Sequence, residues 1–303
     1  MLGRTLLWAA DKPRIERWVT NGRLTSKVVA RFIAGDTLED AINAIKDLNA
    51  RGIGGILDLL GEGVSDPAGA TAAADAYHHS IRRIEETGID TTVSLKPTQL
   101  GLAFDKATCT DHFRAFAAEA KRIGARLEID MEQAEYVSDT IEVFRAVRQD
   151  YDDVRLAVQA YLRRTGADLE SMIDLEPKIR LVKGAYSEDE AIAFKRRKEI
   201  DAQYALLADW LFAHASDPGI ATHHGKLIDH ARAGAERNGV GKDGFEIQML
   251  YGIRRDLQQE LAADGFRVRV YVPFGSAWYP YLMRRMAERP ANLRFFLRAL
   301  AGS

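Results

Sequence analysis

Residues 180–186 read Arg180-Leu181-Val182-Lys183-Gly184-Ala185-Tyr186 and have the form of a buried strand that ends in functional side chains. The apolar part is short and is bounded by charges, as expected for a strand of a parallel sheet. A cation, a glycine, a small residue and an aromatic residue close the stretch, so a flat ligand could approach the backbone closely. We interpret it as a strand that ends in a binding surface.

The same pattern, a short apolar run followed by a longer helical segment, recurs along most of the chain. The runs that we predict to be strands are 55–60, 92–96, 126–130, 155–161, 179–183, 219–223, 245–250 and 267–272. Segments such as 111–123, 137–148 and 200–214 are long enough for the helical crossovers that parallel strands require. Eight β/α units in a chain of 303 residues predict an α/β fold, a (β/α)8 TIM-like barrel.

An open doubly wound sheet is the alternative architecture, because it also alternates strands and helices. A dinucleotide-binding sheet carries a Gly-x-Gly-x-x-Gly loop after its first strand, whereas we place Gly52, Gly54 and Gly55 before that strand. Polar residues also recur at the carboxyl ends of the predicted strands, which in a barrel converge on the face where active sites are built. They are Glu62, Lys96, Asp130, Gln159, Lys183, Thr222, His223, Gln248 and Tyr271. Both features favour the barrel.

The chain before Gly54 shows helical spacing without strand signals. We expect one domain, in which a helical arm of residues 1–53 precedes a barrel of residues 54–303. Asp36, with Glu39 three residues later, resembles an N-cap with a capping box, and Gly52 is a helix stop signal. An amphipathic helix is therefore predicted directly before the first strand.

Composition narrows the range of functions. The net charge of −2, with basic residues spread among acidic ones, gives no general attraction to nucleic acid. The single cysteine, Cys109, fits a reducing compartment, and we expect a cytoplasmic protein. The apolar run 6–10 is too short for a signal peptide or a membrane span. His223 and His224 would point to opposite faces of a strand, so we expect no metal site.

Cationic side chains are the main candidates for ligand binding. Arg284-Arg285 could clamp a carboxylate with two rigid forks of donors, or could lie on a solvated helix face with Glu288 as an ion-pair partner. Lys96 and Asp130 end separate strands and could form a buried ion pair that anchors an anion, or a purely structural salt bridge. Alternatively, Lys96 or Lys183 could be the Schiff-base nucleophile of a barrel aldolase, which needs a depressed amine pKa.

Taken in order along the chain, these stretches resemble the proline dehydrogenase family of flavoenzymes. The matching stretches are 58–62, 94–96, 128–130, 159–161, 180–186, 221–223, 245–252 and 271–292. None of them is diagnostic alone, but eight in the same order and at barrel-compatible spacing make the resemblance specific.

The resemblance implies the oxidation of L-proline to Δ1-pyrroline-5-carboxylate, the first step of proline catabolism, by hydride transfer from proline C5 to N5 of FAD. It further implies a quinone as electron acceptor, a separate pyrroline-5-carboxylate dehydrogenase downstream, and transient peripheral contact with the inner membrane surface. A Schiff-base aldolase and a non-catalytic barrel scaffold are the alternatives.

The resemblance also assigns roles to individual residues. The proline carboxylate would be held by Lys96, Arg284 and Arg285, and the pyrrolidine ring would be packed by Tyr186, Leu250 and Tyr271. Glu62 would pair with Arg284 as a gate over the substrate. The catalytic residues would be Arg180, beside flavin N5, and Asp130, which would support the ionic network. The FAD-binding residues would be Met131, Gln159, Arg180, Val182, Lys183, Gly184, Ala185, Thr222 and His223.

Overall fold

The eight apolar runs of the sequence form the strands of a closed parallel barrel. The computed structural model describes residues 29–61 and 64–288, with side chains as far as Met283 in the last helix. Each strand pairs with the next, and β8 pairs with β1 to close the barrel. The strands are β1 (Gly54–Leu59), β2 (Thr91–Leu95), β3 (Leu127–Ile129), β4 (Val154–Gln159), β5 (Lys178–Val182), β6 (Gly219–Ala221), β7 (Glu246–Leu250) and β8 (Arg267–Phe274). The predicted (β/α)8 barrel is confirmed.

One helix precedes the first strand and the others follow strands, and all but the last pack their apolar faces on the barrel. They are α1 (Leu38–Asn49), α2 (Pro67–Thr87), α3 (Lys106–Ile123), α4 (Val137–Arg148), α5 (Thr165–Ser171), α6 (Arg197–His214), α7 (Gly225–Arg237), α8 (Arg255–Ala263) and α9 (Trp278–Glu288). Phe113 and Phe116 of α3 and Phe144 of α4 are fully buried in one continuous core. Among the described residues, no helix is both long and apolar enough to cross a membrane.

The helix before the first strand is present as α1, but its cap lies one residue later than we predicted. Thr37 is the N-cap, and its Oγ1 accepts a hydrogen bond from Asp40 N at 3.2 Å. Asp40 in turn accepts from Thr37 N at 3.0 Å, which completes a capping box. The prediction of Asp36 and Glu39 was wrong because the sequence contains two overlapping pairs of the same type, and only Thr37 and Asp40 pair in the structure.

Helix α1 precedes the first strand and belongs to the outer layer of the barrel. Helix α1 buries Ile42 and Ile45 against β1 and β8, so it closes the outer ring beside these two strands. Strand β1 already includes Gly54 and Gly55, which corrects their placement before the strand. The division into an arm of residues 1–53 and a barrel of 54–303 stays a prediction.

Helix α9 lies at the carboxyl end of the barrel instead of beside it. It begins at Trp278. Its buried residues cluster with segments that follow β1 and β7 and with the chain before α1. The members of this cluster are Phe32, Ile33, Leu60, Ile253, Tyr279, Tyr281, Leu282 and Met283. The backbone of residues 284 and 285 is therefore carried on a helix that covers the barrel mouth.

Candidate active site

A buried cluster of charged side chains occupies the carboxyl end of the barrel. Lys96, directly after β2, pairs with Asp58 of β1, and its Nζ donates to Asp130 Oδ2 at 3.0 Å. Tyr271 of β8 donates its hydroxyl proton to the same Asp130 oxygen at 2.7 Å, and its oxygen lies 3.2 Å from Lys96 Nζ. The Lys96–Asp130 ion pair suggested by the sequence is therefore present, with Asp58 as a second carboxylate.

The charges of this cluster stabilise one another against burial. Burial alone would lower the pKa of Lys96, but Asp58, Tyr271 and Asp130 hold it well above its ordinary value. The pKa of Asp130 is lowered, since Lys96 and Arg180 outweigh the effect of burial, whereas burial dominates at Asp58 and raises the pKa of its carboxyl. Lys96 is therefore a cation at neutral pH. The Schiff-base alternative needs a neutral amine, so the geometry disfavours it at Lys96.

Arg180 of β5 is the second buried cation of the cluster. Its Nη2 pairs with Asp130 and donates to Ser94 Oγ at 3.2 Å, and its Nη1 lies 3.0 Å from Glu128 Oε2. The guanidinium carbon is 5.4 Å from the centre of the Tyr271 ring. Its Nε and Nη1 are both buried, and neither has a hydrogen-bond partner among the described residues. An ion pair at each terminal nitrogen thus holds the guanidinium, and two buried donors are left without a hydrogen bond.

The turn after β5 depends on glycine. Gly184 has φ 118°, and a Cβ at this position would overlap the Tyr161 ring. Tyr161 N donates to Lys183 O at 2.8 Å, which holds the turn against the end of β4. Lys183 itself pairs with Asp201 of α6 and is half-buried. Val182, Ala185 and Tyr186 are half-buried as well, so the turn presents its backbone, a cation and an aromatic ring together.

The remaining residues predicted to bind the cofactor lie at the ends of β3, β4 and β6. Met131 is buried, and Gln159 donates from its Nε2 to Glu132 O at 2.8 Å. Thr222 is buried and accepts from His224 N at 3.2 Å. His223 accepts a hydrogen bond at Nε2 from Leu250 N at 2.8 Å, which links β6 to β7. With β5 between β4 and β6, these side chains lie along one run of consecutive strands at the carboxyl end of the barrel.

Three predicted site residues cannot be placed by their side chains. Glu62 lies outside the described residues. Arg284 and Arg285 belong to α9, whose described side chains end at Met283.

Several residues of the site were missed in the sequence. They are Asp58, Ser94, Glu128 and Asp201. Asp58 precedes the end of β1 by one residue, and Ser94 and Glu128 lie two residues before Lys96 and Asp130. Because side chains alternate between the faces of a strand, this spacing of two places each pair on the same inward face. This spacing was the sequence signal that could have identified Ser94 and Glu128 as site residues.

The fold and the site define the class of protein first. A closed (β/α)8 barrel with paired cations and carboxylates at its carboxyl end has the architecture of a barrel enzyme. Residues 41–298 match the family model described as proline dehydrogenase. The chain belongs to this family and is an oxidoreductase that acts on proline in the first step of proline catabolism.

Curated relatives of similar length support the assignment. The chain is 37% identical over 302 residues to "Proline dehydrogenase" of Deinococcus radiodurans, which covers 98% of this chain and 97% of the relative. It is also 37% identical to "Proline dehydrogenase 1" of Bacillus subtilis subsp. natto, over 89% of each chain.

Solved structures of larger proteins share the fold. Proline utilization A (PutA) of Bdellovibrio bacteriovorus, inactivated by N-propargylglycine, superposes with a TM-score of 0.82 at 23% identity over 87% of this chain. A variant of Bradyrhizobium japonicum PutA gives a TM-score of 0.76 at 26% identity, again over 87% of this chain. This chain spans 33% and 31% of these two PutA chains.

Proposed function

We propose that this protein oxidises L-proline to Δ1-pyrroline-5-carboxylate with FAD as its bound cofactor and passes the electrons to a quinone. The observation that carries the proposal is the buried Lys96–Asp130–Arg180 cluster under Tyr271, at the barrel end that α9 covers. In a member of the proline dehydrogenase family, this cluster offers a fixed cation for the substrate and another for the cofactor.

The residues at the carboxyl ends of β3 to β6 fit a flavin. Arg180 carries a buried Nε donor without a partner, which suits an acceptor atom of an electron-rich ring. Gly184 and Ala185 let a flat ring approach the backbone, and the half-buried Lys183 can face a phosphate. When bound, FAD would supply the hydride acceptor. Met131, Gln159, Val182, Thr222 and His223 would complete the binding site.

A second group of residues at the carboxyl end of the barrel fits proline. Lys96 keeps its charge and would hold the substrate carboxylate together with Arg284 and Arg285. Tyr186, Leu250 and Tyr271 would pack around the pyrrolidine ring, and Glu62 would pair with Arg284. Asp130 bonds Lys96, Arg180 and Tyr271 at once, so it would fix the substrate side relative to the cofactor side.

The cellular setting follows from the reaction. We propose a cytoplasmic enzyme that touches the membrane surface transiently to reach its quinone. Its product would be passed to a separate pyrroline-5-carboxylate dehydrogenase.

The first test is the visible spectrum of the purified protein before and after addition of L-proline without oxygen. We expect flavin bands near ~450 nm that bleach with proline, because the flavin is the redox carrier. A yellow protein whose flavin bands do not change with proline would overturn the assignment of proline as the substrate. A colourless protein that cannot be reconstituted with FAD would favour the aldolase or the scaffold.

The second test is Arg284→Met and Arg285→Met in protein of normal flavin content. We expect kcat/KM for proline to fall about 10–100-fold in each variant, since each loses a charged hydrogen bond to the carboxylate. Arg237→Met is the matched control, because Arg237 lies on the exposed side of α7 and pairs with Asp209. Unchanged turnover in both site variants would contradict the proposed carboxylate clamp.

A further inference from the structure

Glu128 of β3 is a fully buried carboxylate for which the proposed reaction has no assigned role. It lies two residues before Asp130, so both side chains point into the barrel. Its Oε2 lies 3.0 Å from Arg180 Nη1, and its Oε1 accepts from Thr92 Oγ1 at 3.0 Å. On its other side, Oε1 lies 3.4 Å from Arg155 Nη1. Glu128 therefore stands between two buried arginines.

The two arginines depend on Glu128 to different degrees. Arg155 has closer partners, since its Nη1 lies 2.6 Å from Glu246 Oε1 and its Nη2 lies 3.1 Å from Asp217 Oδ2. Arg180 forms its ion pairs with Asp130 and Glu128, and Asp130 is shared with Lys96 and Tyr271. Arg180 thus relies on Glu128 for the ion pair at one of its two terminal nitrogens.

This arrangement determines what Arg180 can offer to a ligand. Nη1 lies within ion-pair distance of Glu128 in β3, and Nη2 pairs with Asp130 directly after β3, so a carboxylate faces each end of the guanidinium. The buried Nε and Nη1 have no hydrogen-bond partner in the described part of the chain, so both can donate to a ligand. We propose that Glu128 is a positioning residue: together with Asp130 it orients Arg180 toward the bound flavin, and its buried charge lowers the flavin reduction potential. This inference rests on the proposed function.

Glu128→Gln keeps the shape of the side chain and removes its charge. We expect the rate of flavin reduction at saturating proline to fall about 10-fold, because a loosely held Arg180 no longer orients the cofactor. The KM for proline should change less than about twofold, since Glu128 acts on the flavin side. The flavin reduction potential, measured by dye-coupled titration, should shift to a more positive value, because one buried negative charge is lost.

Glu246→Gln is the matched control. Glu246 is as buried as Glu128 and also pairs with Arg155, but its other ion-pair partners are Arg267 and Arg269 at the opposite end of the barrel. Glu246→Gln should lower stability as Glu128→Gln does. It should leave the flavin reduction potential and the rate of flavin reduction near those of the parent protein. If Glu128→Gln matches Glu246→Gln in both properties, Glu128 is only structural and the proposal is wrong.

A second variant tests the positioning role of Glu128 if Glu128→Gln does not fold. Thr92→Val removes the closest of the donors to Glu128 Oε1, which also include Gln248 and Arg155, and preserves the shape and all ionic charges. A lower reduction rate at unchanged KM would support the proposal, and parental kinetics would overturn it. A parent protein that proline does not reduce would remove the proposed function and this inference with it. A reducible parent with an unaffected Glu128→Gln would overturn this inference alone.

Discussion

Asp58 stabilises the site through Lys96. Its side chain is fully buried, and burial raises the pKa of its carboxyl. Lys96 contacts one of its oxygens, and Oδ2 has no hydrogen-bond partner among the described residues. Asp130, the other carboxylate on Lys96, adds a like charge nearby. Lys96 therefore both neutralises two buried carboxylates and, as we propose, binds the substrate.

These two roles of Lys96 can be separated by mutation. We expect Lys96→Met to lower the free energy of unfolding by about 3–5 kcal/mol, because it leaves Asp58 and Asp130 without their shared cation. Lys96→Met with Asp58→Asn should recover part of this stability, since the carboxylate that remains, Asp130, still pairs with Arg180. Neither the single variant nor the double variant should turn over proline. Urea unfolding followed by circular dichroism measures the first quantity, and equal stability losses in the single and double variants would contradict the argument.

At the scale of elements, the contact between α1 and β1 requires a glycine in the strand. A Cβ at Gly55 would lie 2.7 Å from Ile45 Cγ1 and 2.9 Å from Cγ2. Both atoms are close to the helix backbone on a stiff, β-branched side chain, so they cannot move aside alone. Gly55 therefore sets the depth to which α1 packs, although glycine is otherwise unfavourable inside a strand.

We expect Gly55→Ala to destabilise the protein by about 1–3 kcal/mol through overpacking. Ile45→Ala alone should cost about 2–5 kcal/mol, because it leaves a cavity. The double variant should lose less than the sum, since the new methyl group fills part of that cavity. Gly166→Ala in α5 is the control. Apart from the backbone of its own helix and its two chain neighbours, no described atom lies within 4 Å of its Cβ position, so Gly166→Ala should raise stability by up to about 1 kcal/mol. Additive losses in the double variant would show that the two positions do not contact.

The elements were more predictable from the sequence than the site. Strands were found within a few residues because buried parallel strands leave short apolar runs. The position of α9 over the barrel mouth could not be predicted, since an amphipathic pattern shows that a helix has an apolar face but not which surface that face covers. Likewise, the pairing of Glu128 with Arg180 crosses from β3 to β5, and the side chains that meet across a barrel depend on its stagger.

At the scale of the whole molecule, charged side chains continue through the barrel to its amino end. Arg155, Glu246 and Arg269 are linked inside the barrel, where apolar layers are usual. Asp217 lies before β6 at the amino end of the barrel, and it pairs there with three arginines. These arginines are Arg126, Arg155 and Arg267. The amino end is therefore held by carboxylates that must be ionised.

This arrangement predicts a loss of stability in acid. Arginines and lysine outweigh burial and lower the pKa of Asp153, Asp217 and Glu246 in the folded protein. Their contribution is fully present above the unfolded values, about 3.9 for Asp and 4.3 for Glu, and is lost as pH falls below them. Asp58, whose pKa is raised, acts with the opposite sign but is a single group.

We therefore expect the free energy of unfolding, measured in urea, to change little between pH 7 and about pH 5. Between about pH 5 and pH 3 it should fall by a few kcal/mol. Asp217→Asn should be less stable at pH 7, because three arginines lose a carboxylate, and its acid dependence should be shallower. Added salt should alter the parental profile little, since buried pairs are weakly screened. An Asp217→Asn variant as acid-sensitive as the parent would mean that this rim does not control acid unfolding.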